Sequence, residues 1–349
     1  MYKVIHLLPC DGIGGVEVAA SSMGFVQEGE LEFAVDYIFP EFYNAREKTL
    51  FRFNPFPFFS AAWRASRQGV DLFIVSLWRS AVVGFFAKLL RPKLKLVVFL
   101  HSSKDAHVVD FIVTRIAVWS ATEVWCDSMA SLRGKVPEIL EGKCRIISFV
   151  IRRFEPGHAK AVDASFIFWG RINQCKGLDR AIRLFAELYK SYPTARFTII
   201  GPDGGALLEL QKLSFSLGVE DAVVFLGAMT HDEIVYYAHQ ASFYLQTSVF
   251  EGMAMSVVES MQLGLVPVVT PVGEIGTYCG SGYNAIIVES DQRVVSDILG
   301  LLNSDDETYQ QLRVNALATW KNQLPYKDSV LAACRAILGI SDYTSPPLI

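Results

Sequence analysis

The stretch that decides the fold class runs Ser165-Phe166-Ile167-Phe168-Trp169, then Gly170-Arg171-Ile172-Asn173-Gln174-Cys175-Lys176-Gly177. Apolar aromatic and β-branched residues give a buried strand, the glycine-bounded polar segment gives a loop, and an amphipathic helix over 177–191 follows. Strand, loop and helix in that order form one unit of a parallel sheet covered by helices. The pattern repeats downstream, with strands predicted over 196–201, 222–226, 242–246 and 266–270 and helices near 206–215, 232–239 and 255–263. Upstream, strands are predicted over 3–8, 33–38, 71–76, 94–100, 123–126 and 144–149. The fold class is therefore α/β, as two doubly wound parallel sheets. The segment 152–164, containing Pro156 and Gly157 and lacking periodicity, is the expected linker. From Asp291 to Leu338 the pattern is helical, and a polar, Pro-rich tail follows.

A chain of 349 residues exceeds what one core usually supports, which also argues for two domains. With 51% hydrophobic and 19% charged residues it is neither disordered nor fibrous. The six cysteines are scattered without a CxxC pair, so neither a zinc site nor a disulfide framework is expected, and a reducing, cytoplasmic setting fits. The opening Met1–Gly12 is broken by Pro9 and Asp11 and reads as a first strand rather than a signal peptide. The longest uncharged stretch, Ile234 to Phe250, is too polar to predict a membrane span. Charge is uneven: residues 1–160 carry 20 Lys and Arg against 16 Asp and Glu, whereas the remainder carries 12 against 20.

Four segments carry candidate chemistry. Phe250-Glu251-Gly252-Met253-Ala254-Met255-Ser256-Val257-Val258-Glu259 spaces two glutamates between a strand and a helix. Small residues opening a helix present free N–H groups that suit a diphosphate. Glu259, a turn inside the helix, is placed to accept from paired hydroxyls such as a ribose, and Glu251 reaches toward whatever the phosphates carry. In the second segment Arg171 and Lys176 converge at a strand's carboxyl edge and offer a planar fork and a mobile point charge to phosphate. The third, Pro9-Cys10-Asp11-Gly12-Ile13-Gly14-Gly15-Val16-Glu17, lets backbone approach a ligand closely, although it is not GxGxxG. The fourth is His101, just past the apolar strand 94–100. Each has a plainer reading when taken alone: surface glutamates, a solvated basic turn, a strand-to-helix turn, a structural histidine.

Together these segments resemble the family 4 glycosyltransferases, whose hallmarks are a Gly-Gly-x-Glu loop, a histidine after the fourth strand, an Arg and Lys five residues apart, and a Glu-x7-Glu loop. The resemblance spans nearly the whole chain and is strongest over 165–290, where 199–204, 224–227 and 264–269 also follow the family's pattern. It implies a GT-B fold, two Rossmann-like domains facing a cleft: an acceptor domain at 1–155, a nucleotide-sugar domain at 160–325, and a final helix and tail at 326–349 packing back on the first. It implies that Arg171 and Lys176 bind the donor diphosphate, Glu259 the ribose and Glu251 a donor-sugar hydroxyl. The backbone of Gly252, Met253, Ala254 and Met255 would hold phosphate and sugar, Gly14 and Gly15 would approach the diphosphate, and His101 would touch the sugar. Base contacts would come from Gly201 and Leu226. One departure is Phe149-Val150-Ile151-Arg152-Arg153-Phe154, where the family commonly carries Asn-Gly-hydrophobic-Asp, so the hinge is expected to differ.

The resemblance further implies a retaining hexosyltransferase of surface-polysaccharide synthesis. Its donor would be a UDP- or GDP-sugar and its acceptor a saccharide or polyprenyl-diphosphate-linked saccharide. No Asp-x-Asp occurs in the chain, so no metal and no cofactor are expected, and Arg171, Lys176 and a helix N-terminus would supply the compensating charge. Nucleic acid is not an expected partner. The mixture of Phe51-Arg52-Phe53-Asn54-Pro55-Phe56-Pro57-Phe58-Phe59 with Trp63, Arg64, Arg67, Trp78 and Arg79 suggests an anionic membrane surface as a partner, at the inner face of the plasma membrane. Two other readings stay open: a GT-B nucleotide-sugar 2-epimerase, and a non-catalytic nucleotide-sugar-binding or scaffold subunit.

Overall fold

The computed structural model describes residues 1–12, 15–39, 55–67, 69–102, 104–303 and 306–340. The chain divides into two units, Met1–Arg152 with Leu324–Ile349, and Arg153–Gln323.

The first unit carries β1 (Tyr2–Cys10), α1 (Gly15–Met23), β2 (Val26–Glu28), β3 (Leu31–Phe39), α2 (Phe56–Arg67), β4 (Leu72–Ser76) and α3 (Leu77–Leu90). It continues with β5 (Lys95–Leu100), α4 (Val108–Ser120), β6 (Glu123–Cys126), α5 (Met129–Lys135) and β7 (Cys144–Ile146). Its sheet has the order β2-β3-β1-β4-β5-β6-β7. All neighbours are parallel except β2, which pairs antiparallel with β3 across a turn where Gly29 takes φ 60°. That hairpin was not expected, because three residues are too few to show an alternation.

The second unit carries β8 (Ser165–Trp169), α6 (Leu178–Ser191), β9 (Arg196–Ile200), α7 (Leu207–Ser216), β10 (Val223–Gly227), α8 (His231–Ala238) and β11 (Phe243–Gln246). Then come α9 (Met255–Gln262), β12 (Val266–Val269), α10 (Ile275–Tyr278), β13 (Ile286–Ile287), α11 (Asp291–Asn303) and α12 (Glu307–Lys321). The order β10-β9-β8-β11-β12-β13 is parallel throughout. Strands buried on both faces explain their unbroken apolar runs. On α6 the 3.6-residue spacing places Leu178, Ala181, Ile182, Phe185 and Leu188 inward, and Phe185 meets Phe197 and Phe166 with ring centroids 5.7 and 5.9 Å apart.

The last helix, α13 (Tyr326–Leu338), belongs to the first unit. Tyr326 N–H donates to Val150 O at 2.8 Å, Ser329 Oγ accepts from Ser148 N–H, and Lys95 Nζ donates to Ile337 O at 2.6 Å. These bonds explain why β7 stops at Ile146 although apolar residues continue to Phe149: the backbone beyond it turns to α13. Among the described residues no two cysteines are joined in a disulfide. Among the described residues no helix is long and apolar enough to cross a membrane.

Candidate functional site

Strand order reverses direction at β8 and β11 in the second unit, and in an open parallel sheet the crevice beyond the carboxyl ends of such a pair is where ligands bind. The loop after β8 holds Arg171 and Lys176, and the loop after β11 holds Glu251. Val249 N–H donates to Cys175 O at 2.9 Å, tying the two loops together. Gly177 is required there: it has φ 61°, and a Cβ on it would lie 1.9 Å from Thr247 O.

Glu251 is only 8% exposed, and its Oε1 accepts from Lys176 Nζ at 2.7 Å, Gln246 Nε2 at 3.0 Å and Ser248 Oγ at 2.7 Å. The Gln246 amide is oriented from behind, because its Oε1 accepts from Tyr244 OH at 2.6 Å and Ser256 Oγ at 3.1 Å, which turns Nε2 toward Glu251. Tyr244 is fully buried, and burial raises its hydroxyl far above the ordinary value, so it stays a donor. Three donors on one carboxylate oxygen fix the group while Oε2 makes no hydrogen bond among the described residues. Glu259 lies on α9, where Oε2 accepts from Trp169 Nε1 at 2.8 Å. Arg171 is exposed and has no ion-pair partner among the described residues.

Between the glutamates the loop is held from below. Tyr278 OH donates to Met253 O at 2.8 Å and Glu274 N–H to Gly252 O at 3.0 Å. Ala254 occupies the left-handed region at φ 54° and ψ 66°, a conformation costing roughly 1–2 kcal/mol for a residue with a Cβ. Strain of this kind concentrates where backbone is arranged for a task. Here it starts α9 abruptly with no side-chain cap, so the N–H groups of Met255 and Ser256 head the helix without intrahelical acceptors. Gly201 follows β9 at φ 149°, and a Cβ on it would lie 1.8 Å from Gly170 O, so close packing of the loops after β8 and β9 accounts for its glycine. Leu226 is half-buried in β10, and the next residue's carbonyl, Gly227 O, accepts from Gly201 N–H at 2.7 Å.

In the first unit, Gly15 starts α1 with open space around it, whereas Gly14 lies outside the described residues. His101 follows β5, but its side chain is only 3% exposed. This corrects the expectation of a ring presented at the ligand edge: the imidazole folds back, with Nε2 at 2.9 Å from Ser76 Oγ, which also meets His6 Nε2 at 2.7 Å. Among the described residues Nδ1 of His101 has no hydrogen bond, and it lies 4.0 Å from Asp127 Oδ2. Burial, then His6 and Lys135, push the His101 pKa well below 6.5, and burial takes His6 to about 3, so both rings are neutral at pH 7. The reading from sequence missed Trp169, Gln246, Ser248 and Tyr278. Trp169 and Gln246 end apolar strands that give no cue to their polar atoms, whereas Ser248 lies in the loop after β11 and Tyr278 on α10, brought to the site only by the fold.

The model of the glycosyl transferases group 1 family matches residues 153–319. The second unit belongs to the group 1 glycosyl transferases. D-inositol 3-phosphate glycosyltransferase of Acidothermus cellulolyticus is 32% identical over 131 residues, 35% of this chain and 29% of that protein. Alpha-monoglucosyldiacylglycerol synthase of Acholeplasma laidlawii is 28% identical over 166 residues, 48% of this chain and 40% of that protein. The matched part thus spans less than half the length of these curated relatives. Among solved structures, Anabaena Alr3699/HepE in complex with UDP and glucose is similar with a TM-score of 0.73 at 17% identity, over 96% of this chain and 100% of that one. That likeness covers both units and gives the chain the two-sheet GT-B fold. Within the group 1 domain, the family match encloses Arg171, Lys176, Glu251 and Glu259.

Proposed function

We propose that the protein is a retaining, metal-independent glycosyltransferase that moves a hexose or N-acetylhexosamine from a nucleoside-diphosphate sugar to a saccharide or lipid-linked saccharide acceptor. The observation that carries this is the meeting of Lys176 with Glu251 at the carboxyl ends of β8 and β11, beside an exposed Arg171 and a helix start with no side-chain cap. Cleaving the anomeric bond places negative charge on the departing diphosphate, and the side chains of Arg171 and Lys176 with the amides of Met255 and Ser256 lie where such charge is stabilised. Glu251, held by three donors on one oxygen, uses the other to accept from a sugar hydroxyl, and Glu259 accepts from the ribose. The acceptor attacks on the face the diphosphate leaves, and that diphosphate takes the acceptor's proton, so no separate enzymic base is required. That HepE was solved with UDP and glucose supports a UDP-sugar as donor, and the relative named alpha-monoglucosyldiacylglycerol synthase supports a lipid-borne acceptor. Such an enzyme serves surface-polysaccharide or glycolipid assembly from the cytoplasmic side.

The test is calorimetry with UDP-, GDP-, ADP- and dTDP-sugars in EDTA, on the wild type and Arg171→Ala. One donor class should bind, and the variant should lose about 5–150-fold in affinity, the range of a 1–3 kcal/mol charged contact. Absence of binding by every nucleotide at millimolar concentration refutes the reading.

A further inference from the structure

In the first unit α4 is apolar on its outer side as well as on its inner one, where Ala117 and Val118 are fully buried. A surface helix normally turns its charges to water and its apolar stripe to the core. Here Asp110 and Thr114 face inward, where Thr114 Oγ1 donates to Asp110 Oδ1 at 2.8 Å and Lys135 Nζ lies 3.7 Å from Asp110 Oδ2. Outward point Val108, Val109, Phe111, Ile112, Ile116 and Trp119, each between 45 and 73% exposed. The helix has a single basic residue, Arg115, whose guanidinium lies 5.0 Å from the Phe111 ring centroid. A contiguous apolar face of this kind on a monomer marks an interaction surface.

The face continues through its neighbours, for α4 packs beside α3 and α3 beside α2. On α2, Phe56, Phe59 and Trp63 are exposed, and the Arg67 guanidinium sits 3.7 Å over the Trp63 ring. The charges of the three helices are one-sided. They carry Arg64, Arg67, Arg79, Lys88 and Arg115 against a single acid, Asp110, which is buried. Apolar and aromatic side chains bordered by cations match the interface of an anionic bilayer, where rings sit at headgroup depth and arginines meet lipid phosphates. A second copy of the chain would bring the same positive sign to the same face, which opposes self-pairing.

We propose that the outward face of α4, extended by α2, seats the first unit on an anionic lipid surface, inserting Phe111, Ile112, Ile116 and Trp119 below the headgroups. This deepens the lipid-acceptor part of the function proposed above, and it stands apart from donor binding, which involves the other unit.

The experiment is co-sedimentation of the full chain with vesicles of phosphatidylcholine alone and of phosphatidylcholine mixed with phosphatidylglycerol, at low and high salt. The wild type should pellet with the mixed vesicles, less at high salt, and hardly at all with phosphatidylcholine. Ile112→Ser combined with Ile116→Ser should lower the partition coefficient roughly tenfold or more, as should Val108→Ser with Val109→Ser at the other end of the helix. Both pairs are already exposed, so melting temperature and nucleotide-sugar affinity should match the wild type. Wild type that stays in the supernatant with both vesicles overturns the proposal. So do variants that bind as well as wild type, or a wild-type dimer that the serine variants convert to monomer in sedimentation velocity. Nucleotide-sugar binding by calorimetry, read on the same samples, tells failure of docking apart from failure of the transferase reading.

Discussion

Replacing Lys176 by methionine and Glu251 by glutamine, singly and together, tests the centre of the site. The two side chains are 20 and 10% exposed and 2.7 Å apart, so their charge-assisted bond is screened only in part. A hydrogen bond between charged groups contributes about 1.5–3 kcal/mol, and discounting for the solvent that reaches Lys176 leaves a coupling of about 1–2 kcal/mol. Lys176→Met leaves Glu251 with Gln246 and Ser248 as donors, which softens the loss, and the melting temperature should fall by about 2–8 °C. A double-mutant cycle by urea unfolding reads the coupling directly. A value below about 0.5 kcal/mol, the scatter of independent sites, refutes the pairing. Ligand binding separates the two roles. With Lys176 on the diphosphate, Lys176→Met should weaken a nucleoside diphosphate and its sugar conjugate alike. With Glu251 on the sugar, Glu251→Gln should weaken only the conjugate and leave the bare diphosphate unchanged or tighter, because Lys176 is released from its present partner. Equal loss of both ligands in Glu251→Gln removes Glu251 from the sugar.

Trp169→Phe removes the donor to Glu259 Oε2 while keeping an aromatic ring at the strand end, and calorimetry should show roughly 5-fold weaker nucleotide binding. Gly177→Ala drives a Cβ onto Thr247 O and should destabilise the second unit by more than about 2 kcal/mol in urea, whereas a melting curve like wild type would mean the loops do not pack as described. His6 titrates at 6.5 when unfolded and about 3 when folded, so between those values the unfolded chain binds the extra proton and stability rises with pH. Lowering the pH from 6.5 should therefore cost up to about 1.4 kcal/mol per unit from this residue, and His6→Asn should show a shallower slope in urea unfolding between pH 6.5 and 5.

The alternation of apolar strand and amphipathic helix was legible because each signal is local. Ser165–Trp169 and Glu123–Cys126 have the bounds their composition suggests, and most other elements fall within two residues. Local signals fail where an element is too short, as for Val26–Glu28, or where a distant partner takes over the backbone, as when α13 captures Ser148 and Val150. The ionisable side chains of the second-unit site were also visible, since Arg171, Lys176, Glu251 and Glu259 stand out in loops and at a helix start. What holds them was hidden. Tyr244, Gln246 and Trp169 sit in strands that read only as apolar, yet their hydroxyl, amide and indole groups orient both glutamates.

The aromatic and basic mixture of the first unit could be seen in sequence, but not its arrangement. Phe51–Asn54 lie outside the described residues, and which residues of Val108–Ser120 stay exposed is settled only when its neighbours are placed. By itself, then, the sequence determines the α/β class, the doubly wound order of elements and the presence of residue types suited to a diphosphate, since periodicity and chemical type are properties of short segments. Only the tertiary structure decides that the His101 ring is buried against Ser76, that Lys176 is bound to Glu251 and that one apolar side of α4 is left facing outward. Burial and pairing depend on which segments become neighbours, and no local pattern carries that information.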